Sequence, residues 1–292
     1  MEMRSPIDEL RFQVGQLEVF WRRFRRHKAA VVSLGIAICM IVMAFAPSLF
    51  ATHDPRKLDA TKAVKGPSLD HPMGTDQMGR DIYSRVIYGT RTSVIVGICA
   101  TVITTILGFA VGTYSGYIGR IVDDILMRIT ESILVMPWFF LMLLIVIFFG
   151  QSLWNIVWVI GITSWPQTAR VVRSEVLSLK ERGFVEAARS TGCTDFRIIV
   201  RHIAPNVMPS VIVSATLMVS QAVLTESYLS FLGVGDPNVI SWGQMLMTAL
   251  VFMRTAWWMP VFPGLAIFII VLAFNMIGDG LNDALNPRLK GG

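Results

Sequence analysis

The sequence predicts an all-α, polytopic membrane protein with six transmembrane helices. Three observations lead there. Six long apolar runs divide the chain, at 29–50, 92–115, 125–149, 152–172, 209–231 and 260–281. The composition is 53% hydrophobic and 16% charged, against about 45–50% and about 25% in soluble domains, and the mean hydropathy is +0.58. Basic residues gather beside the runs, with Arg22, Arg23, Arg25, Arg26 and Lys28 directly ahead of the first. A bilayer core of about 30 Å is crossed by about 20 helical residues, close to the length of each run. A lone strand in lipid would leave its backbone groups unpaired, so the spans must be helices.

Taken in order, residues 1–28 form a polar, basic segment ahead of the first span, 29–50. Ala44-Phe45-Ala46 mimics a signal-peptidase site. The polar stretch before it is long and Pro47 follows directly, so 29–50 is read as a retained helix. Segment 51–91 mixes Arg56, Lys57, Lys62 and Lys65 with Asp54, Asp59, Asp70, Asp76 and Asp81. Its stretch His71-Pro72-Met73-Gly74-Thr75-Asp76 is rich in turn residues. Thr75 or Asp76 can cap a helix starting near Gln77, from which Met78, Ile82, Arg85, Val86 and Gly89 recur at helical spacing. Residues 92–292 make a helical core interrupted by a charged loop at 180–208. Within it the third span carries Arg128, Glu131 and Pro137, and the fourth is interrupted by Asn155 and Trp165-Pro166.

The basic cluster before the first span argues for a cytoplasmic N-terminus. Six crossings then return the C-terminus, with Arg288 and Lys290, to the same side. The loop after the fourth span holds Arg170, Arg173, Lys180, Arg182, Arg189, Arg197 and Arg201 and also falls inside. Segment 51–91 falls outside, despite its own basic residues.

The charged loop, GFVEAARSTGCTDFRIIVRHIAPNVMP at 183–209, reads as two short helices. Phe184, Ala187, Ala188 and Thr191 recur at i, i+3, i+4 and i+7 and share one helical face, with Glu186 and Arg189 pointing elsewhere. The small Ala side chains let a helix approach a partner closely. Gly192 can take a positive φ and end the first helix. Thr194 or Asp195 can start the second, whose apolar stripe is Phe196, Ile199, Val200 and Ile203. Pro205 stops it, and Pro209 suits the first turn of the next span. On residues alone, such a segment lies equally well on a membrane surface.

Ionisable groups inside a membrane are functional candidates by default. Arg128 and Glu131, at i and i+3, can form an intramembrane ion pair or take part in gating. Gln221, Thr225, Glu226 and Ser230 put polar atoms on the fifth span. They line a solute pathway, form a buried pair or hold an interface. Other chemistry is excluded. No phosphate loop, zinc-protease motif or nucleophile elbow occurs. His53 and His71 share segment 51–91 without an acidic or Cys partner at metal spacing, so a metal site is not read there. The net charge of +6 sits beside membrane spans, and no nucleic-acid motif accompanies it. Cys39, Cys99 and Cys193 show no CxxC spacing and are read as small core residues or free thiols.

Glu186-Ala187-Ala188, then Gly192, Ile203 and Pro205, resemble the EAA loop of bacterial ABC importer permeases. Ala204 stands where that family usually has Leu. GTDQMGRDIYSRVIYGTRTS before the second span, LSFLGVGDPNVISWGQM at 229–245 and FWRRFRRHKAAVVSLGI near the N-terminus resemble the dipeptide, oligopeptide and nickel branch. The resemblance implies a type I ABC importer permease in a bacterial inner membrane, serving peptide uptake. It implies a homologous permease subunit, two ABC ATPase subunits carrying ATP and Mg, and an extracytoplasmic solute-binding protein as partners. It implies no cofactor on this chain. Phe184, Glu186, Ala187, Ala188, Gly192, Ile203 and Pro205 become the residues that couple to the ATPases. An importer of nickel or another small solute shares these signatures. An ion-driven secondary transporter would show repeated halves, and a membrane enzyme a catalytic constellation. Neither is visible.

Overall fold

The computed structural model describes residues 18–285. Among them there is no strand, only an isolated bridge between Thr75 and Asp81. Residues 18–26 are helical. Helix α1, Lys28–Phe45, starts where the His27 ring accepts the Ala30 N–H at 3.2 Å.

Helix α2, Ile82–Ile118, runs for 37 residues, about 55 Å at 1.5 Å per residue. It does not start near Gln77 as the spacing suggested. Asp81 is its cap, accepting the Ser84 N–H at 2.8 Å, because a carboxylate there satisfies an orphan donor of the first turn. Thr75 and Asp76 hold the preceding loop instead. The Thr75 hydroxyl donates to the Lys62 carbonyl at 2.5 Å, and Asp76 accepts from the N–H groups of Met78 and Arg80 at 2.9 and 3.0 Å.

The expected third span is not one helix. Helices α3, Arg120–Val135, and α4, Trp138–Phe149, meet at 87°. Pro137 explains the break. Its ring removes a donor and forces the residue before it into an extended conformation, and Met136 has ψ 137°. Helix α5, Leu153–Lys180, tolerates Pro166 inside its 28 residues.

Helix α6, Gly183–Ser190, and the short α7, Asp195–Ile198, form the charged loop. A π-turn at Ile199–Ile203 leads straight into α8, Ala204–Phe231. Pro205 therefore does not stop the second loop helix. It sits in the first turn of α8, and the widened π-turn ahead of it absorbs the hydrogen bond a proline cannot make. The result is one helix from Asp195 to Phe231, 37 residues long. Helix α9, Trp242–Ala249, precedes α10, Trp258–Leu285. Arg288 and Lys290 lie outside the described residues.

Among the described residues four helices are long and apolar enough to cross a membrane: α1, α2, the Asp195–Phe231 helix and α10, and the bent pair α3–α4 makes a fifth if it counts as one span. The expected six includes α5, which has the length but not the hydropathy, because Asn155, Pro166 and Gln167 interrupt its first part and Arg170, Arg173, Glu175 and Lys180 follow.

Helix α2 lies along α5 at very close range. A Cβ on Gly108 would come 2.6 Å from the Thr168 side chain, one on Gly112 2.4 Å from the Ala169 carbonyl, and one on Gly116 3.0 Å from the Arg173 carbonyl. Glycines four residues apart share a helix face and let two backbones meet. Apolar cores flank this seam. Met40, Ile82, Trp242 and Ile270 join α1, α2, α9 and α10. Val96, Val146, Ile160 and Leu229 join α2, α4, α5 and α8. Phe148 on α4 and Phe268 on α10 remain 78% and 59% exposed, an apolar surface for lipid or a partner helix.

Candidate coupling surface and solute path

Helix α6 ends in a Schellman motif, the turn expected of Gly192. With φ at 78°, Gly192 lets its own N–H reach the Arg189 carbonyl at 2.9 Å and the Cys193 N–H reach the Ala188 carbonyl at 3.1 Å. The next helix begins at Thr194, whose hydroxyl accepts the Arg197 N–H at 3.4 Å.

The face of α6 differs from the expected one. Val185 and Ala188, at i and i+3, are buried against Leu179, Ile198 and Ile203 of the same chain. Phe184, Glu186, Ala187 and Thr191 stay exposed. Ala188 thus belongs to the interior, and the split follows from Val185, which supplies the bulk that the periodicity reading passed over. In the second helix Ile198 and Ile203 turn inward, whereas Phe196 and Val200 are 77% and 52% exposed. Phe184, Ala187, Phe196 and Val200 are exposed apolar residues on the two short helices and the π-turn that follows them. Arg182, Glu186, Arg189 and Arg197 are also exposed on these elements, as is Pro205 on the first turn of α8.

The loop is tied to α2 at one point. The Tyr117 hydroxyl donates to Asp195 at 2.5 Å, and the Arg189 guanidinium sits 5.5 Å from the Tyr117 ring centroid. Nearby, Arg173 of α5 grips Asp123 of α3 through two hydrogen bonds of 2.6 Å, and the Ser115 hydroxyl donates to the same carboxylate. This fork joins α2, α3 and α5. Sequence reading missed it because fifty residues separate the partners. The ion pairs among the described residues do not include Arg128 with Glu131. Both side chains open instead onto a cleft of about 560 Å³ shared with Asp124, Arg170 and Arg173. Both lie on α3, the amphipathic arm of the pair that bends at Pro137.

The polar positions of α8 separate into two groups. Gln221 and Thr225 line a cavity of about 650 Å³ with Thr163, Ser164, Gln167 and Asn275. Glu226 and Ser230 do not line it. Glu226 is 1% exposed and accepts the Ser230 hydroxyl at 2.6 Å. A residue one step along a helix turns by about 100°, so Thr225 can face the cavity while Glu226 faces the interior.

The two remaining signature segments meet at the other end of α2. The Trp242 ring is fully buried and its Nε1 donates to the Val86 carbonyl at 2.9 Å. A Cβ on Gly89 would stand 2.6 Å from that ring. The Thr92 hydroxyl donates to the Ile240 carbonyl at 2.7 Å, and Trp258 Nε1 donates to the Thr75 carbonyl at 3.2 Å.

Comparison with known proteins places this architecture. Residues 105–291 match the family described as binding-protein-dependent transport system inner membrane component, and residues 15–67 match the N-terminal transmembrane domain of oligopeptide transport permease C. The chain belongs to this family of inner-membrane transport components. Among relatives of the permease, the dipeptide transport system permease protein DppC of Alkalihalophilus pseudofirmus is 39% identical over 92% of this chain and 89% of its own. The oligopeptide transport system permease protein OppC of Bacillus subtilis is 38% identical over 92% and 88%. The glutathione transport system permease protein GsiD of Escherichia coli is 39% identical over 93% and 90%. In fold, the permease is similar to a chain of the inward-facing MetNI methionine ABC transporter, with a TM-score of 0.50 and 20% identity over 66% of this chain and 94% of that one. The permease is therefore an integral inner-membrane subunit of an ABC transport system, a non-catalytic one whose ATPase is a separate chain.

Proposed function

We propose that this permease forms half of the path for short peptides in an ATP-driven importer, paired with a homologous permease subunit. Two ATPase subunits, which carry ATP and Mg, dock on the exposed Phe184, Ala187, Phe196 and Val200. A solute-binding protein delivers the peptide from outside. The observation that carries this reading is the continuity of the Asp195–Phe231 helix. One end bears the exposed Phe196, and farther along the same helix Gln221 and Thr225 reach the cavity. A push at Phe196 passes along one continuous helix, through the π-turn at Ile199–Ile203, to the cavity. The amide and hydroxyl groups there suit a peptide backbone, and peptide and glutathione systems are what the relatives' names record.

In the proposed orientation the charged loop is cytoplasmic and segment 51–81 faces outward. Ser68 and Ser178 are both exposed. In a background without Cys39, Cys99 and Cys193, a Cys at Ser68 should label with an impermeant thiol reagent from outside, and one at Ser178 only after permeabilisation. Reversed labelling refutes the orientation. The function is tested on the assembled complex, by ATPase stimulation and uptake with binding protein loaded with dipeptide, longer peptide, glutathione or nickel. Stimulation by peptides is expected. Stimulation by nickel alone would overturn the peptide reading in favour of a small-solute importer.

A further inference from the structure

The sequence reading set His53 and His71 aside for want of an acidic partner. The fold supplies one. His71 Nδ1 lies 2.9 Å from Asp81 Oδ1, and His53 Nδ1 lies 4.0 Å from Asp81 Oδ2. The two imidazole rings stand 4.6 Å apart between centroids, tilted by 34°. One donor atom from each of the three residues falls within 4.8 Å of the others. The rings converge through the same nitrogen on one carboxylate, although the residues come from the start, the middle and the end of the 51–81 loop.

We propose that His53, His71 and Asp81 bind a divalent transition-metal cation, of which Zn²⁺ fits best. Two imidazoles and a carboxylate are a donor set for such ions. Ligands about 2.0–2.2 Å from zinc in a tetrahedron stand roughly 3.3 Å from one another. The observed 2.9 and 4.0 Å fall on either side of that spacing. Asp81 is a fixed platform, because its Oδ2 also accepts the Ser84 N–H that starts α2. His71 is buried, and the His53 side chain is 38% exposed. The adjustment therefore falls on His53, the more exposed member, and the remaining coordination position opens to solvent beside it.

Two neighbours oppose this: Thr52, whose hydroxyl stands 3.0 Å from His53 Nδ1 and can rotate away, and Lys62. Its Nζ stands 3.2 Å from His71 Nε2, which favours the ring proton on Nδ1. The lysine is half-buried on a flexible stem. When it turns away, the proton sits on Nε2 and Nδ1 is free to coordinate, the usual way a neutral imidazole selects its ligating nitrogen. The bound ion then fastens residue 53, just after α1, to the first turn of α2. None of the residues lining the α8 cavity takes part, so the ion has a structural role and is not cargo.

The test uses the whole transporter complex in lipid nanodiscs, stripped with chelator and titrated calorimetrically with Zn²⁺ alone. His53→Ala removes the more exposed of the two rings, and Asp81→Asn keeps an oxygen to cap α2. The parent should bind Zn²⁺ at micromolar or tighter affinity. Both variants should weaken that site by more than roughly tenfold, the least a lost metal partner costs. Zn²⁺ should also slow proteolytic cleavage within 51–81 in the parent and not in His53→Ala. Equal affinity in parent and His53→Ala, or no micromolar binding by the parent, would overturn the proposal and leave the cluster a hydrogen-bonded brace. If Asp81→Asn fails to assemble, His53→Ala decides alone.

Discussion

At the Ile82 end of α2, buried polar atoms cross-link the 51–81 loop, α9 and the first turn of α10. At the Ile118 end, two short helices lie against the bundle through one apolar strip and a single tyrosine. The first end counts Trp242, Thr75, Asp76 and Asp81 among its buried groups. The second keeps Val185, Ala188, Ile198 and Ile203 inside and leaves most of its remaining side chains in the open. Segments with few buried contacts open at low free energy, whereas densely bonded ones open only with the whole fold. The contrast separates a stationary frame from a part that can be pushed. The frame fixes where the spans start, and the other end presents a surface to a partner.

The comparison breaks first at Trp242. Trp242→Ala leaves a large cavity among Val86, Gly89 and the α9 backbone, and the Val86 carbonyl loses the indole donor while keeping the Thr90 hydroxyl. Such truncations cost about 3–5 kcal/mol. The expected outcome is loss of most of the folded complex, read as recovery from detergent and as midpoint of thermal unfolding. A complex as stable as the parent would show that the frame is not held from this end.

Ala188→Asp and Ala187→Asp, one residue apart, sharpen the assignment of the faces. Ala188→Asp buries a carboxylate among Ile198 and Ile203 and costs more than about 2 kcal/mol, since an unpaired buried charge is expensive. It should detach the loop helices, seen as new proteolysis between 183 and 203. Ala187→Asp should leave proteolysis unchanged and weaken only the association with the ATPases. Identical behaviour of the two would restore the single face that periodicity suggested.

Gly192→Val acts on the turn between the loop helices. A Cβ there meets nothing within 4 Å, so sterics with neighbours add no penalty. The cost is the positive φ alone, about 1–2 kcal/mol. Reduced coupling of ATP hydrolysis to uptake is expected, with little change in overall unfolding. A variant that transports at the parent rate would mean the turn does not transmit force.

How far these features were legible depends on the range of the signal. The Schellman turn at Gly192 and the Thr194 cap follow from neighbours in sequence, and residue type alone announces them. Periodicity also found the helices, because apolar runs survive in any packing. It misjudged their ends at Gln77 and Pro205, where Asp81 and a π-turn compete with the obvious cap and breaker. The bend at Pro137 was in view as a lone proline, yet only packing decides between a kink and a right angle, and Pro166 in α5 gave no break. The glycine stripe at 108, 112 and 116 carried a readable small-residue spacing that an apolar-run reading overlooks. The Asp123–Arg173 fork and the His53–His71–Asp81 cluster had no local signal. Their partners meet only once α2 is in place.

The smallest expected effect on stability, and the one most telling for the moving end, belongs to Phe196. Its side chain is 77% exposed and touches little of its own chain. Phe196→Ala should change the stability of the isolated subunit by less than about 0.5 kcal/mol, as surface substitutions do. In the assembled transporter the same change removes an aromatic anchor, the kind of group whose truncation at an interface costs about 2 kcal/mol or more. The ATPases should then bind roughly thirtyfold more weakly, since every 1.4 kcal/mol is tenfold. Pull-down of the ATPases and peptide-stimulated hydrolysis read the effect, with thermal unfolding of the permease alone as control. A fall in subunit stability without loss of ATPase binding would make Phe196 a packing residue and move the docking surface elsewhere on the loop.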